Sequence, residues 1–261
     1  SEFPLLLLWL LWLFFFPGAV LRCWAFSLMP LPDGTNDEKE AVQPALGWQS
    51  KEDMRDVVLH DTKASPPCVK IRLFLGYYGV PFTVVKGKKK GSDYKKVPVL
   101  MASGRQINDS YVILRNLVPV LCGVPFEDEW QEKITYKLQL AFEAEVFSSS
   151  SDMASWASKA VGLPYCIGRC ITPCLGPSIA KKIHSKNPGL PSSTEVGREF
   201  AAALGSQKFL AGEKPGQVDI AYYGTLLSFK WGGCQHYEDH IREAGLTDWA
   251  VRMDACMPNV F

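Results

Sequence analysis

The residues with the clearest potential for chemistry are the Ser-Pro-Pro-Cys turn at positions 65–68, between an apolar strand and an apolar-faced helix. In thiol enzymes that carry Cys-Pro-x-Cys in this setting, the first cysteine lies at a helix N-terminus. The helix dipole lowers its pKa there and produces a nucleophilic thiolate. Ser65 occupies that first position in this chain, and Cys68 the second. A hydroxyl cannot form a disulfide, so the sequence excludes two-cysteine redox cycling between these positions.

Two interpretations of Ser65 remain open. Its hydroxyl could donate a hydrogen bond to a bound thiolate, which would make Ser65 a catalytic residue. Alternatively, the site has lost its activity and Ser65 only caps the helix before Pro66 and Pro67. Of the two, we favour the structural role. Cys68 falls in the first helical turn, where the second cysteine is usually the more buried thiol, and we expect it to be inert.

A second group of thiols, Cys166, Cys170 and Cys174, recurs every four residues, which would stack them on one face of a helix. The segment has no Cys-x-x-Cys pair and no clear fourth ligand for zinc. Pro173 and Pro177 should also disrupt such a helix. We therefore predict no metal site here and interpret the thiols as small apolar side chains in a buried or membrane-touching helix.

Two polar clusters receive ordinary interpretations. The sequence HYEDH places His236 and His240 four residues apart beside acidic residues, a pattern that surface helices produce by chance. We predict no metal there either. The dense basic loop at residues 86–96 is interpreted as solvated, and contact with anionic lipid or an acidic partner is the alternative.

The composition is that of an ordinary folded protein: 261 residues, 47% apolar and 21% charged, enough for two small domains or one large domain. The net charge of +1 gives no general attraction to nucleic acid, and we expect no nucleic-acid partner. Eight cysteines are too sparse and irregular for a secreted disulfide scaffold. We expect mostly free thiols and an intracellular or organellar compartment.

Regular elements begin just before the Ser65 turn. Residues 57–59 predict a short strand, residues 67–79 a helix, and the sequence PFTVVK a second strand. VPVLMA predicts a third strand and GRQIN a turn into a short fourth. DSYVILRNLVPVL predicts a helix that Asp109 or Ser110 could cap. A helix between the first two strands implies a parallel crossover, and the close third and fourth strands imply a hairpin.

The rest of the chain divides by composition. From residue 126 onward the patterns are helical, without a convincing strand, and the stretch before the first strand is rich in Pro, Gly and charge. The predicted units are a membrane anchor, a linker, an α/β domain and an all-helical domain, at residues 1–31, 32–54, 55–121 and 122–261.

The anchor prediction depends on residues 3–21, which carry no charge and include LLLLWLLWLFFF. About 19 uncharged residues reach the length of a bilayer-spanning helix. A transmembrane helix, an embedded helix with Trp9, Trp12 and Trp24 near the interface, and a signal peptide all fit this composition. We favour a retained membrane anchor, because a buried soluble helix rarely lacks a polar stripe.

The turn, together with KKVPVL, QINDSYVILRNL and FLAGEKPGQVDIAYYGTLL, occurs in the order and spacing of glutathione S-transferase-like proteins. Within them, the chain most resembles the membrane-associated prostaglandin E synthase type 2 group. The resemblance covers residues 57–121 well and 208–229 fairly. It implies a thioredoxin-like α/β domain, then an all-α glutathione S-transferase C-terminal-like domain, with an N-terminal membrane helix.

The resemblance also implies a glutathione site. Val97-Pro98 matches the family's cis-proline, which turns the backbone of the preceding residue toward the active-site mouth. Asp109-Ser110 matches the acidic-Ser pair that holds the γ-glutamyl end of glutathione at a helix N-terminus. The alternatives are a plain proline at a strand start and a plain helix cap.

A further motif, GQVDIAYYG, matches the family's folding motif, in which a capping residue precedes a buried acid by three positions. Gly216 and Asp219 occupy these positions, whereas Ser or Thr is usual at the first. Glycine costs only a few tenths of a kcal/mol against the best caps. This motif supports the fold and carries no chemistry.

Two functions are compatible with these patterns. The favoured one is a non-catalytic or weakly active subunit of an organellar membrane protein assembly, mitochondrial or plastid, with its main domains on one side. The expected partners are membrane lipid at the N-terminal segment and other subunits. The alternative is a glutathione-dependent transferase or isomerase; the type 2 group uses the first cysteine, so its activity cannot be assigned to Ser65.

Overall fold

The computed structural model describes residues 47–261. The predicted membrane anchor and most of the predicted linker lie outside the described residues. Within residues 47–261, no helix is both long enough and apolar enough to cross a membrane. The described residues lie within one compact unit, and the predicted boundary between residues 121 and 122 stays a prediction.

A four-stranded sheet forms the first part of the described chain, with strands β1 (Val58–Asp61), β2 (Thr83–Lys86), β3 (Val99–Ala102) and β4 (Arg105–Asn108). The strands lie in the order β2-β1-β3-β4. β1 and β2 are parallel, and the other two pairs are antiparallel. Parallel neighbours need a crossover, which helix α1 (Pro66–Tyr77) supplies. The predicted thioredoxin-like order of elements is therefore confirmed.

Helix α1 is buried on nearly all sides, and its boundaries follow from local chemistry. Pro66 occupies the first helical position, where its missing N–H costs nothing. The helix ends at Tyr77, two residues before Gly79, whose φ of 65° lies in the left-handed region that glycine tolerates. The fully buried apolar side chains of the sheet and α1 are Leu59, Cys68, Val69, Ile71, Leu73, Phe74, Leu75, Val99, Leu100, Ala102 and Ile107.

Helices make up the remainder of the described chain, and the predicted all-helical second part is confirmed. A π-helical turn at Ile134–Leu138 joins the helix that ends at Lys133 to the helix that begins at Gln139. The helices are α2 (Ser110–Cys122), α3 (Asp128–Lys133), α4 (Gln139–Ser148), α5 (Ser150–Val161), α6 (Tyr165–Lys186), α7 (Ser193–Leu204), α8 (Gln217–Gly232), α9 (Gln235–Glu243) and α10 (Thr247–Cys256).

Helix α6 corrects one expectation, because it continues without a break through Pro173 and Pro177. Both prolines are exposed, as are the residues whose carbonyls lose a hydrogen-bond donor, so water can satisfy those carbonyls. The opposite side of α6 packs closely. A Cβ added at Gly168 would lie 3.2 Å from the Ala154 side chain, and one at Gly176 would lie 2.0 Å from the Phe147 carbonyl oxygen. This packing holds the helix together where the sequence predicts a break.

The packing of α6 also corrects the predicted environment of its thiols. Cys166, Cys170 and Cys174 are all exposed, so the predicted burial in protein is wrong. The seven cysteines among the described residues are free thiols, as expected.

The two parts of the fold meet where α1 lies against α8. A Cβ at Gly224 would lie 2.9 Å from the Cα of Lys70, so only glycine permits this approach of the two backbones. Ser228 in α8 donates a 2.5 Å hydrogen bond to the carbonyl of Ala64, just before α1. The interface is therefore close-packed beside the Ser65 turn.

The folding motif at the start of α8 has the buried acid that its sequence predicts. Asp219 is fully buried. It accepts hydrogen bonds of 3.0 Å from the backbone of Leu210, the backbone of Gly216 and the indole of Trp249. One carboxylate thus fixes the helix start, the preceding loop and α10.

Candidate functional site

The register of the strands brings the predicted site residues to one end of the sheet. His60, near the end of β1, pairs with Val99 at the start of β3, and Val99 pairs with Asn108 at the end of β4. The turn after β1, the proline before β3 and the acid after β4 must therefore lie at the same end of the sheet. Ser65, Pro98 and Asp109 are carried by these three segments.

Ser65 is the N-terminal boundary residue of α1 and is half-buried. Its carbonyl accepts hydrogen bonds from the backbone N–H groups of Cys68 and Val69, at 3.0 and 2.9 Å. Its hydroxyl makes no capping hydrogen bond. The interpretation that the Ser65 side chain only caps the helix is therefore not supported.

Cys68 has a different environment from Ser65, because it is fully buried in the first turn of α1. Burial raises the pKa of the Cys68 thiol to about 12, and the carboxylate of Asp61 adds to the increase. The thiolate, which is the reactive form, is thus disfavoured at neutral pH. This agrees with the expectation that Cys68 is inert.

A buried ion pair beneath the turn was not predicted from the sequence. The Nε of Arg72 in α1 lies 2.9 Å from the Oδ2 of Asp61 in β1, and both side chains are buried. Burial raises the pKa of the Asp61 carboxyl, although Arg72 opposes the shift. Nη1 of Arg72 also donates to the carbonyl of Val260 at 2.7 Å. The pair links β1, α1 and the last residues of the chain.

The Val97-Pro98 peptide bond is cis, as predicted. Pro98 is buried and Val97 half-buried. The Pro98 carbonyl accepts a 3.2 Å hydrogen bond from the backbone N–H of Asp109, which joins two of the predicted site segments. The backbone of Val97 makes no hydrogen bond with another residue of the described part of the chain.

Asp109 has an unusual backbone conformation, with a φ of 69° at a residue that is not glycine. Its Oδ1 accepts a 2.8 Å hydrogen bond from the backbone N–H of Tyr111 and so caps α2. Ser110 behind it is buried. The predicted cap is confirmed and belongs to Asp109. The half-buried carboxylate lies at a helix N-terminus next to the cis-proline segment.

Lys70 is a second residue that the sequence patterns missed. It is fully buried in α1, and its Nζ donates a 3.0 Å hydrogen bond to Thr135 Oγ1 in the helical part. Burial lowers the pKa of Lys70 to about 8, and the nearby Asp109 carboxylate opposes this change. Lys70 therefore links α1, the helical part and Asp109 electrostatically. The sequence did contain a signal for this buried residue, namely a lysine inside an otherwise apolar helix pattern.

The two histidines of the HYEDH sequence have structural partners. Nε2 of His236 lies 2.7 Å from Glu145. His240 is buried between the hydroxyls of Tyr222 and Ser193, and burial lowers its pKa to about 4. Within residues 47–261, no group of three His, Cys, Asp or Glu side chains is placed to hold a metal ion.

Comparison with known proteins gives one domain match. Residues 59–118 match the glutathione S-transferase, N-terminal domain. The chain is 22% identical over 269 residues to prostaglandin E synthase 2 of Mus musculus, covering 76% of this chain and 69% of that protein. It is 40% identical over 68 residues to prostaglandin E synthase 2 of Danio rerio, covering 23% of this chain and 18% of that protein.

Solved structures include similar chains at low identity. A glutathione S-transferase from Pseudomonas fluorescens is 21% identical, with 78% of this chain and 98% of that chain covered and a TM-score of 0.46. One from Ceriporiopsis subvermispora, solved in complex with glutathione, is 15% identical, with 77% and 96% covered and a TM-score of 0.48.

The sheet, the all-helical second part and the matched domain define the class: the chain is a glutathione S-transferase-like protein. Within that class it is related to prostaglandin E synthase 2. The resemblance inferred from the sequence motifs is confirmed.

Proposed function

We propose that this protein binds glutathione and is a non-catalytic or weakly active subunit of an organellar membrane protein assembly. The observation that carries the proposal is that neither Ser65 nor Cys68 of the turn is a reactive thiol. The position of the reactive thiol is a serine, and the remaining thiol, Cys68, is fully buried with its pKa raised to about 12. Neither residue can supply a thiolate nucleophile at neutral pH.

The proposal that the protein binds glutathione is supported by the segments at this end of the sheet. The unpaired backbone of Val97 can form hydrogen bonds with an extended tripeptide. The carboxylate of Asp109, half-buried at the start of α2, can bind the ammonium of the γ-glutamyl group.

The test is calorimetric titration of glutathione into the wild-type protein and Asp109→Asn. Asparagine can keep the cap and tolerates a positive φ, but it lacks the charge that attracts the ammonium. We expect about tenfold weaker binding by Asp109→Asn, an effect of roughly 1.4 kcal/mol. Glutathione without its amino group should bind both proteins equally weakly. No binding of glutathione by the wild-type protein at millimolar concentration would refute this part.

The organellar subunit role is motivated by the absent nucleophile and by the uncharged stretch at residues 3–21. Affinity purification from native membranes in mild detergent should recover stable partner proteins. Isolation of the full chain as a monodisperse detergent-solubilised monomer would count against the assembly while leaving the glutathione site untouched.

A second candidate, a serine-type transferase or isomerase, is favoured by one observation. Ser65 is half-buried, and its hydroxyl makes no capping hydrogen bond and lies within hydrogen-bonding reach of the Cys68 thiol, so it could donate instead to a bound thiolate. The pKa of bound glutathione, measured by thiolate absorbance, distinguishes the two functions. A pKa below that of free glutathione that rises in Ser65→Ala would support catalysis. An unshifted pKa in the wild-type protein would support the binding role.

A further inference from the structure

We infer that α6 carries a second membrane contact, in which one exposed face of the helix lies along an anionic lipid surface. This face, the α6 face, comprises Ile167, Cys170, Cys174, Pro177 and Lys181. It belongs to the helical part and shares no residue with the proposed glutathione site or with residues 3–21. A helix in this position lies on the bilayer without crossing it.

The rotational setting of α6 determines which residues face outward. Gly168, Thr172 and Gly176 form the inner side, and Thr172 Oγ1 donates a 3.0 Å hydrogen bond to the Ser150 carbonyl in α5. Close packing at the two glycines allows no rotation of the helix. Residues two positions after each inner residue lie about 200° around the helix, so Cys170 and Cys174 project away from the protein.

The outward side is apolar and unusually exposed for such residues. Ile167, on the outward side, is 46% exposed. Cys170 and Cys174, farther along α6, are exposed as well. Apolar groups that extend over several helical turns at the surface mark a contact site.

Charge identifies the partner. Between Asp152 and Glu195 the sequence contains no acidic residue, whereas α6 itself contains Arg169, Lys181, Lys182 and Lys186. An apolar strip with basic residues and no acidic ones fits the boundary between acyl chains and anionic headgroups. Basic side chains there attract the headgroups, and the apolar side chains enter the outer part of the bilayer.

The three thiols of α6 allow a local measurement on the full chain. We would place the protein in vesicles of phosphatidylcholine with phosphatidylglycerol, and in vesicles of phosphatidylcholine alone. A membrane-impermeant maleimide would then be added, and the alkylation of each cysteine followed by peptide mass spectrometry. Cys256, exposed at the end of α10, is the internal reference. We expect Cys170 and Cys174 to react about tenfold more slowly than Cys256 in the anionic vesicles only.

Charge reversal distinguishes this face from the basic loop after β2. Arg169→Glu with Lys181→Glu should restore alkylation of Cys170 and Cys174 in anionic vesicles. The matched variant, Lys88→Glu with Lys90→Glu in the loop, should leave their protection unchanged. Circular dichroism melting checks that both variants fold as the wild type does.

Three results would overturn the inference. The thiols of the α6 face could react as fast as Cys256 in anionic vesicles. Their protection could depend on the loop lysines alone. Protection could also arise without vesicles and increase with protein concentration, which would identify a protein–protein contact in place of lipid. None of these results depends on glutathione binding.

Discussion

Glu143 shows how much a single buried side chain can affect this protein. It is buried within α4, where Gln139 donates a 3.0 Å hydrogen bond to its carboxyl. Burial raises the pKa of Glu143 to about 8. The unfolded chain ionises this carboxyl near pH 4.5, so between about pH 4.5 and 8 the unfolded state binds fewer protons than the folded state. The free energy of unfolding must therefore fall as the pH rises through this window.

Replacing Glu143 by Gln should remove that loss. The amide keeps the shape and the hydrogen-bonding groups of the neutral acid but cannot ionise. We expect Glu143→Gln to resemble the wild type at pH 5 and to be more stable by a few kcal/mol at pH 9. Urea unfolding at the two pH values measures the difference. If the free energy of unfolding changed with pH by the same amount in both proteins, Glu143 would not be the titrating group.

Lys70 should produce the opposite dependence. Its pKa is lowered to about 8 by burial, against 10.5 as the ordinary value, so the unfolded chain binds more protons between these values and stability rises with pH. Lys70→Met should increase the free energy of unfolding most near pH 7, and the gain should shrink toward pH 10. Lys70→Met leaves the Thr135 hydroxyl without its hydrogen-bond partner. The double variant Lys70→Met with Thr135→Val removes that hydroxyl and serves as the control. A gain that does not vary with pH would exclude titration of Lys70 as its cause.

At the scale of the element, the start of α8 explains why Gly216 replaces the usual Ser or Thr. A Cβ at Gly216 would lie 2.5 Å from the Cβ of Ala211, which is too close for any side chain. Gly216→Ser should therefore destabilise the protein by about 1–3 kcal/mol in spite of the better cap. Adding Ala211→Gly should recover most of this loss. A double-mutant cycle by urea unfolding measures the coupling, and additive effects would show that the clash is not the cause.

The register of α6 makes an equally specific prediction. Gly176→Ala places a Cβ 2.0 Å from the carbonyl oxygen of Phe147, so the variant should lose several kcal/mol although alanine is the better helix former. Ser178→Ala on the exposed side of the same helix is the matched control and should change stability by less than about 0.5 kcal/mol. Thermal melting of both variants is sufficient. A stable Gly176→Ala protein would mean that α6 has a different rotational setting.

The elements differ in how far the sequence predicts them. Strand and helix order in the first part follows from local apolar patterns and turn residues, and the cis-proline and the cap at Asp109 followed from motif order. The continuity of α6 could not be predicted, because it depends on Gly176 meeting Phe147 from another helix. The same is true of the buried partners of Lys70 and Arg72. Long-range contacts of this kind leave no periodic trace in the sequence.

At the scale of the whole molecule, the close approach of α1 and α8 should make the two parts unfold together. Backbone contact at Gly224 and the hydrogen bond from Ser228 to Ala64 join them. Hydrogen exchange followed by mass spectrometry in increasing urea should give one midpoint for peptides from β3 and from α8. Gly224→Ala, which forces the helices apart, should separate the two midpoints. Two midpoints in the wild-type protein would contradict a single cooperative unit.

The glycine contact between α1 and α8 also has a consequence for evolution. Two domains joined through long, adaptable side chains can be exchanged between relatives by recombination. Here the surface of the helical part must match the backbone path of α1 at Gly224, and Thr135 must meet the lysine that faces Asp109. A chimaera that takes one half from a distant relative would lose both the backbone contact at Gly224 and the hydrogen bond between Lys70 and Thr135. We therefore expect substitutions on the two sides of the α1–α8 interface to covary among relatives.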